Sequence, residues 1–234
     1  MELNSSENSA NNLNSTEIVS KPSQISPWLA PFIYFLACDI VLPFYLGKIE
    51  VNGQENIPTS GPVMLAPTHR SRWDPLVLGY ATGRRVTGRD LRFMVTHTEM
   101  MGVQGWFIRH LGGFPVDLRR PAIASLRHSI ELLLEEQMLV IFPEGGIFQD
   151  GEVHSLKPGM ARLAITAEST HPNLNIKIVP ISITYGEIIP TKGCGVTVNI
   201  GSPLAVGDYC NQPPKQGGQL LTTNLENAIK KLAG

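Results

Sequence analysis

With 42% hydrophobic and 17% charged residues among 234, the chain is too apolar for a disordered protein and long enough for one large domain with apolar surface to spare. Three scattered cysteines, Cys38, Cys194 and Cys210, exclude a disulfide framework or a zinc site and suit a reduced, cytosol-facing compartment. Net charge is −1, yet between His69 and Arg127 ten arginines face only Asp74, Asp90, Glu99 and Asp117, an excess of six positive charges suited to phosphate, an anionic membrane or nucleic acid.

Residues 1–26 are rich in Asn, Ser and Glu and read as a disordered tail. Lys21 is the sole basic residue there apart from the terminus, unlike the positive start of a signal peptide. From Pro27 to Gly47 the composition turns apolar over about one bilayer-spanning length, roughly 20 residues. Asp39 lies in its middle and Pro27, Pro31 and Pro43 punctuate it. A charge at bilayer centre costs about 2.5–3.5 kcal/mol. Residues 27–47 are therefore expected to form an interfacial helix dipping into one leaflet, with Trp28, Tyr34 and Tyr45 at headgroup depth; a buried core helix is the alternative.

The rest, 48–234, reads as one domain. Strands are expected at Lys48–Gly53, Pro62–Ala66, Leu91–Thr96, Phe114–Asp117, Leu139–Phe142, Ile176–Thr184 and Gly195–Ile200. Helices are expected from Pro75 to about Gly83, at Glu99–His110, Pro121–Gln137, Gly159–Ser169 and Leu220–Leu232. Such alternation predicts an α/β fold, a layered and mostly parallel sheet flanked by helices, whose ligands sit at the carboxyl ends of the strands.

Three segments fall at such strand ends: Thr68-His69-Arg70-Ser71-Arg72-Trp73-Asp74, Gly113-Phe114-Pro115-Val116-Asp117 and Phe142-Pro143-Glu144-Gly145. In the first, His69 occupies a loop and Asp74, just before Pro75, is expected to cap the next helix. A carboxylate so placed can accept the imidazole N–H and fix its tautomer, leaving the other ring nitrogen to act as a general base. In the third, a proline closes a strand before a carboxylate and two glycines that let a ligand approach the backbone.

In this order and spacing the segments resemble the glycerolipid acyltransferases of the 1-acyl-glycerol-3-phosphate (lysophosphatidic acid) type, from about Lys48 to Pro203. His69, Ser71 and Asp74 match the family's His-x4-Asp block, with Thr68 where Asn is usual. LGGFPVD and FPEGG are similar to its second and third blocks, LKPGMARLA to the stretch that follows, and IVPISI, with Pro180, to the fourth. The resemblance implies a glycerol-3-phosphate-acyltransferase-like fold. It also implies transfer of an acyl chain from a thioester of acyl carrier protein or coenzyme A to the free hydroxyl of a lysolipid, with no other cofactor and no metal. His69 would be the base and Asp74 its partner. Ser71, Glu144, Gly145, Lys157 and Arg119 would serve the acceptor, Glu144 and Gly145 at its glycerol backbone. Membrane association at the cytoplasmic face is the implied location.

The second and third blocks each depart from the pattern. Leu118 stands where the second block usually has Arg, ahead of Arg119 and Arg120; Gly146 and Ile147 stand where the third usually has Thr-Arg. Both bear on the acceptor's phosphate, for which Arg119, Arg109 or Lys157 could substitute, and an acceptor with another head group is the alternative. A serine hydrolase would show Gly-x-Ser-x-Gly, and a metalloenzyme His-Glu-x-x-His; neither is present. A non-catalytic lipid binder would not need His69, Asp74 and Glu144 together. Nucleic acid is not expected as a partner, because the arginines form no recognised motif and few aromatics interleave them.

Overall fold

The structure, a computed structural model, describes residues 24–116 and 123–234. The expected tail therefore lies outside the described residues up to position 23. Its last residues instead run beside the later segment 109–111, with Ile25 bridging Leu111 and the N–H of Ser26 donating to the His110 carbonyl at 3.1 Å.

The apolar stretch forms α1 (Leu29–Phe35), a π-helical turn (Leu36–Val41) and α2 (Leu42–Tyr45). Trp28, Phe32 and Phe35 are exposed, while Leu29, Ala30, Ala37, Cys38, Leu42 and Leu46 are buried. At about 100° per residue, Ile40 and Phe44 would drift more than a quarter-turn off the exposed side. The π turn takes up one extra residue, so both stay exposed and Leu42 and Leu46 stay inward. Asp39 is accounted for by Arg85, whose guanidinium meets it at 2.7 Å. Among the described residues no helix is long and apolar enough to cross a membrane.

The body is one sheet. Its strands are β1 (Ile49–Asn52), β2 (Val63–Pro67), β3 (Leu91–Thr96), β4 (Gly113–Val116), β5 (Met138–Val140), β6 (Lys177–Tyr185), β7 (Val196–Ile200) and β8 (Leu204–Ala205). They lie in the order β1-β7-β6-β2-β5-β3-β4, with β8 beside β6. Pairings are parallel except β6 with β7 and with β8. The helices are α3 (Asp74–Thr82), α4 (Arg84–Thr87), α5 (Gly102–His110), α6 (Ile123–Leu134), α7 (Gly159–Thr170) and α8 (Pro214–Ala233).

Strand alternation divides the core in two. On β2, Val63 and Leu65 join Leu42, Leu46, Val77 and Leu78 on the side of α2 and α3. Met64 and Ala66 join Leu133, Ala164 and Leu225 on the side of α6, α7 and α8. Every residue of β2 is buried, as a central parallel strand covered on both faces requires.

Three expected elements differ. The helix expected over Glu99–His110 is broken: a 3-10 turn (His97–Met100) precedes α5, because Gly102 takes φ +60. The closing helix begins at Pro214 rather than Leu220. Gly217 and Gly218 do not interrupt it: a Cβ on Gly217 would stand 2.4 Å from the Tyr209 carbonyl oxygen, so this glycine permits close packing. Asp74 is the first residue of α3, after Trp73, and makes no capping bond to its own helix.

Candidate active site

Parallel β2 ends at Pro67, and the loop 68–73 carries the chain over the carboxyl end of the sheet into α3. Thr68 pins this loop to β6: its hydroxyl accepts the Ile183 N–H at 2.9 Å, and its own N–H donates to the Ile181 carbonyl at 3.0 Å. Where the resemblance leads to an expected Asn, the chain thus carries a buried hydroxyl with a structural task.

Nδ1 of His69 donates to Oδ2 of Asp74 at 2.8 Å. The same oxygen accepts the backbone N–H groups of Arg70 at 2.6 Å and Ser71 at 2.9 Å. The expected helix-capping carboxylate therefore turns back into the loop and holds it closed around the imidazole. The Asp74 side chain is 0% exposed and that of His69 17%. With Nδ1 occupied, Nε2 is the nitrogen left for a substrate. The Phe142 ring stacks on the imidazole, centroids 3.8 Å apart.

Beneath the dyad, Glu144 bonds the loop to the segment after β5. Its Oε2 accepts the His69 N–H at 2.9 Å and Arg70 Nη1 at 2.8 Å; its Oε1 accepts Arg70 Nη2 at 3.0 Å and the His154 N–H at 2.9 Å. With its side chain fully buried and both oxygens occupied, Glu144 supports the His69 loop from below and is not among the residues that line the cavity.

His69 lines a cavity of about 580 Å³. Ile33, Ala37 and Cys38 form one wall, Leu76 and Gly79 of α3 another, and Phe93 and Ile108 a third. Tyr34 also faces it, its hydroxyl pushed up to about 12, first by burial and then by the negative charge of Asp90. Burial likewise raises the Cys38 thiol, partly offset by Arg85. Both groups stay neutral and the walls stay apolar. Arg72 is the one arginine or lysine among the described lining residues; it is exposed and 3.4 Å from Glu99.

Of the residues named from sequence, His69 and Asp74 come together and Gly145 lines the cavity. The stem of Lys157 passes over Gly145, 3.2 Å from where a Cβ would stand, and the residue is exposed. Ser71 is buried away from the cavity, its Oγ accepting the Trp73 N–H at 3.3 Å. Arg109 does not line the cavity. Arg119, and the Asp117–Leu118 departure with it, lie outside the described residues. Sequence reasoning missed Arg70 as the partner of Glu144, Arg72 at the cavity, and Tyr185, whose hydroxyl donates to Asp74 Oδ1 at 2.8 Å. The two arginines were visible only as part of a charge excess; Tyr185 carried no local signal.

The family model described as Acyltransferase matches residues 48–184. The chain is 26% identical over 194 residues to the 1-acyl-sn-glycerol-3-phosphate acyltransferase of Streptococcus pneumoniae, covering 80% of this chain and 66% of that one. It is 26% identical over 190 residues to the protein of the same name from Bacillus subtilis, covering 80% and 88%. A human mitochondrial glycerol-3-phosphate acyltransferase 1 shares 29% over 141 residues, 56% of this chain and 17% of its own. In fold, the crystal structure of the 1-acyl-sn-glycerophosphate acyltransferase PlsC from Thermotoga maritima is similar at a TM-score of 0.61 and 21% identity, covering 99% of this chain and 83% of that one. With the family model spanning more than half of the residues, including the whole His69–Glu144 constellation, the chain belongs to the Acyltransferase family.

Proposed function

We propose that this enzyme transfers an acyl chain from a thioester to the free hydroxyl of 1-acyl-glycerol-3-phosphate, forming phosphatidic acid at a membrane surface. One observation carries the reading: the Asp74-held imidazole of His69 lines an apolar cavity large enough for a lipid chain. His69 Nε2 takes the hydroxyl proton as that oxygen attacks the thioester carbonyl. The C–S bond then breaks, and the thiolate of acyl carrier protein or coenzyme A recovers the proton from the imidazolium. Such a base supplies about 10²–10⁴-fold in rate, and positioning contributes further. Asp74 stabilises the transient positive charge. The acyl chain occupies the cavity between α1, α3 and α5, while Arg72, Lys157 and Arg119 are the cations proposed for the acceptor's phosphate. Glu144 contributes by holding the His69 backbone, and Gly145 by leaving the rim open.

The exposed stripe Trp28, Phe32, Phe35, Ile40 and Phe44 is proposed to lie in the bilayer interface, on the cytoplasmic face, so that lipid reaches the cavity sideways. Ile147 in place of the usual arginine also lines the cavity, and this favours testing acceptors with other head groups.

The test is an assay of wild type and His69→Ala with a labelled acyl thioester and a panel of lysolipids, glycerol-3-phosphate included. Lipid product from lysophosphatidic acid, lost in His69→Ala, is the expected result. Product from another acceptor alone would keep the chemistry and replace the substrate. Release of free fatty acid without lipid product would overturn the transfer reaction.

A further inference from the structure

Tyr185 closes β6, where antiparallel pairing with Val196 of β7 fixes its backbone. Its ring packs against the core on the α3 side, outside the cavity lining. Its hydroxyl donates to Asp74 Oδ1 at 2.8 Å, while His69 Nδ1 and the two loop N–H groups all use Oδ2. The two oxygens of one buried carboxylate are thus divided: one organises the histidine loop, the other is held by the tyrosine.

That division has a physical consequence. The terminal torsion of an aspartate is broad and nearly two-fold, so a donor on the second oxygen adds to the restraint that the three donors on Oδ2 place on the carboxylate plane. A donor on Oδ1 also withdraws charge from the group that stabilises the imidazolium, and so limits how tightly His69 keeps its proton. Other charged or titratable groups near the dyad are Arg70 and Arg72 on its own loop, Glu144 after β5, and Cys194 before β7. Arg70 is engaged by Glu144, and Arg72 by Glu99. Tyr185 is the side-chain donor recorded on Asp74 Oδ1 among the described residues.

We propose that Tyr185 is a positioning residue for acyl transfer: its hydroxyl holds the second oxygen of the Asp74 carboxylate and moderates the charge of that group, which tunes both the aim and the proton affinity of His69. This rests on His69 being the base. Burial, the Asp74 charge and the bond to it all push the tyrosine hydroxyl up, partly offset by Ser71, so it remains a neutral donor throughout the working pH range. Tyr185 itself exchanges no proton with substrate.

The experiment compares wild type, Tyr185→Phe and His69→Ala in kcat, KM and pH profile, with ¹⁵N-histidine NMR titration of the ligand-free full-length enzyme alongside. Tyr185→Phe is expected to lower kcat about 10–100-fold, by analogy with the loss of outer hydrogen-bond partners around metal-bound histidines, with KM nearly unchanged. The acid limb of kcat/KM and the NMR titration of His69 should both move to higher pH, because Asp74 without its donor holds the imidazolium more firmly. A fall in activity that merely tracks loss of folded protein, with limb and titration unmoved, would overturn the proposal, as would wild-type kinetics in Tyr185→Phe. Full activity in His69→Ala would instead overturn the underlying assignment of the base.

Discussion

The guanidinium of Arg70 and the carboxylate of Glu144 form a two-pronged pair, Nη1–Oε2 2.8 Å and Nη2–Oε1 3.0 Å, with side chains 8% and 0% exposed. This pair connects the loop after β2 to the segment after β5, and Glu144 also holds the His69 N–H. Removing one partner of a buried pair leaves the other charge uncompensated, at a cost of about 3–5 kcal/mol. Glu144→Gln and Arg70→Met should each lower unfolding free energy by about that amount in urea titrations. In both variants the His69 loop should lose protection from hydrogen exchange first. A loss below about 1 kcal/mol would mean that water replaces the missing partner and that the pair does not secure the loop.

Tyr34 yields a pH prediction whose sign is fixed by its raised value of about 12. The unfolded chain releases this proton near the ordinary value of about 10, before the folded one does. The stability contributed by the neutral, buried hydroxyl is therefore complete below about pH 10 and lost between about 10 and 12, an effect on the order of 2–3 kcal/mol. Urea unfolding across that range should show a steeper alkaline decline for wild type than for Tyr34→Phe. Parallel curves would mean that the hydroxyl is hydrated within the folded cavity wall.

The exposed aromatic stripe predicts a binding defect without a folding defect. Phe32 and Phe35 face outward from α1 and contribute little to the core. Replacing both by serine should reduce binding to phosphatidylglycerol vesicles roughly ten- to a hundredfold in flotation assays while leaving the melting temperature within a few degrees. The Asp39–Arg85 pair, 32% and 50% exposed, is screened by solvent and should add little stability, and Asp39→Asn should fold normally. Vesicle binding unchanged in the double serine variant would remove α1 from the membrane contact.

What the sequence made legible was local. His69 and Asp74 lie five positions apart on one strand-to-helix loop, so their meeting could be argued from spacing and from the Asp-Pro helix start. Glu144 and Gly145 could be placed at a strand end for the same reason. The bonding of Glu144 to Arg70 could not be read, because it depends on a residue 74 positions upstream having the correct reach. Tyr185 is 111 residues from Asp74, and Thr68 bonds Ile183 across 115; such pairings exist only once β2 and β6 are neighbours. The parallel sheet followed from strand–helix alternation, whereas the antiparallel β7 and β8 depend on a chain reversal that composition does not encode. The closing helix starts six residues before its expected start at Leu220, and its first turns include Gly217, which permits close packing against Tyr209.

The cavity wall supplies a final prediction, about which acyl chains are accepted. Gly79 lines the cavity from α3, and a Cβ there would lie 3.5 Å from the Tyr34 ring, an ordinary contact. Gly79→Ala should therefore fold and act almost normally. Gly79→Leu places a branched side chain where lipid methylenes would lie, and each methylene denied burial costs about 0.8 kcal/mol, roughly fourfold in kcat/KM. Competition among acyl thioesters of graded length, with products resolved by mass spectrometry, should show the long chains losing turnover in geometric steps while short ones are spared. At Gly83 the outcome should be different: a Cβ would approach the Gly79 carbonyl oxygen to 2.5 Å and Tyr34 to 2.7 Å, so Gly83→Ala should destabilise the contact between α1 and α3 rather than change chain preference. An unchanged length profile in Gly79→Leu, in a folded enzyme, would mean that the acyl chain runs elsewhere and that this cavity serves another part of the lipid.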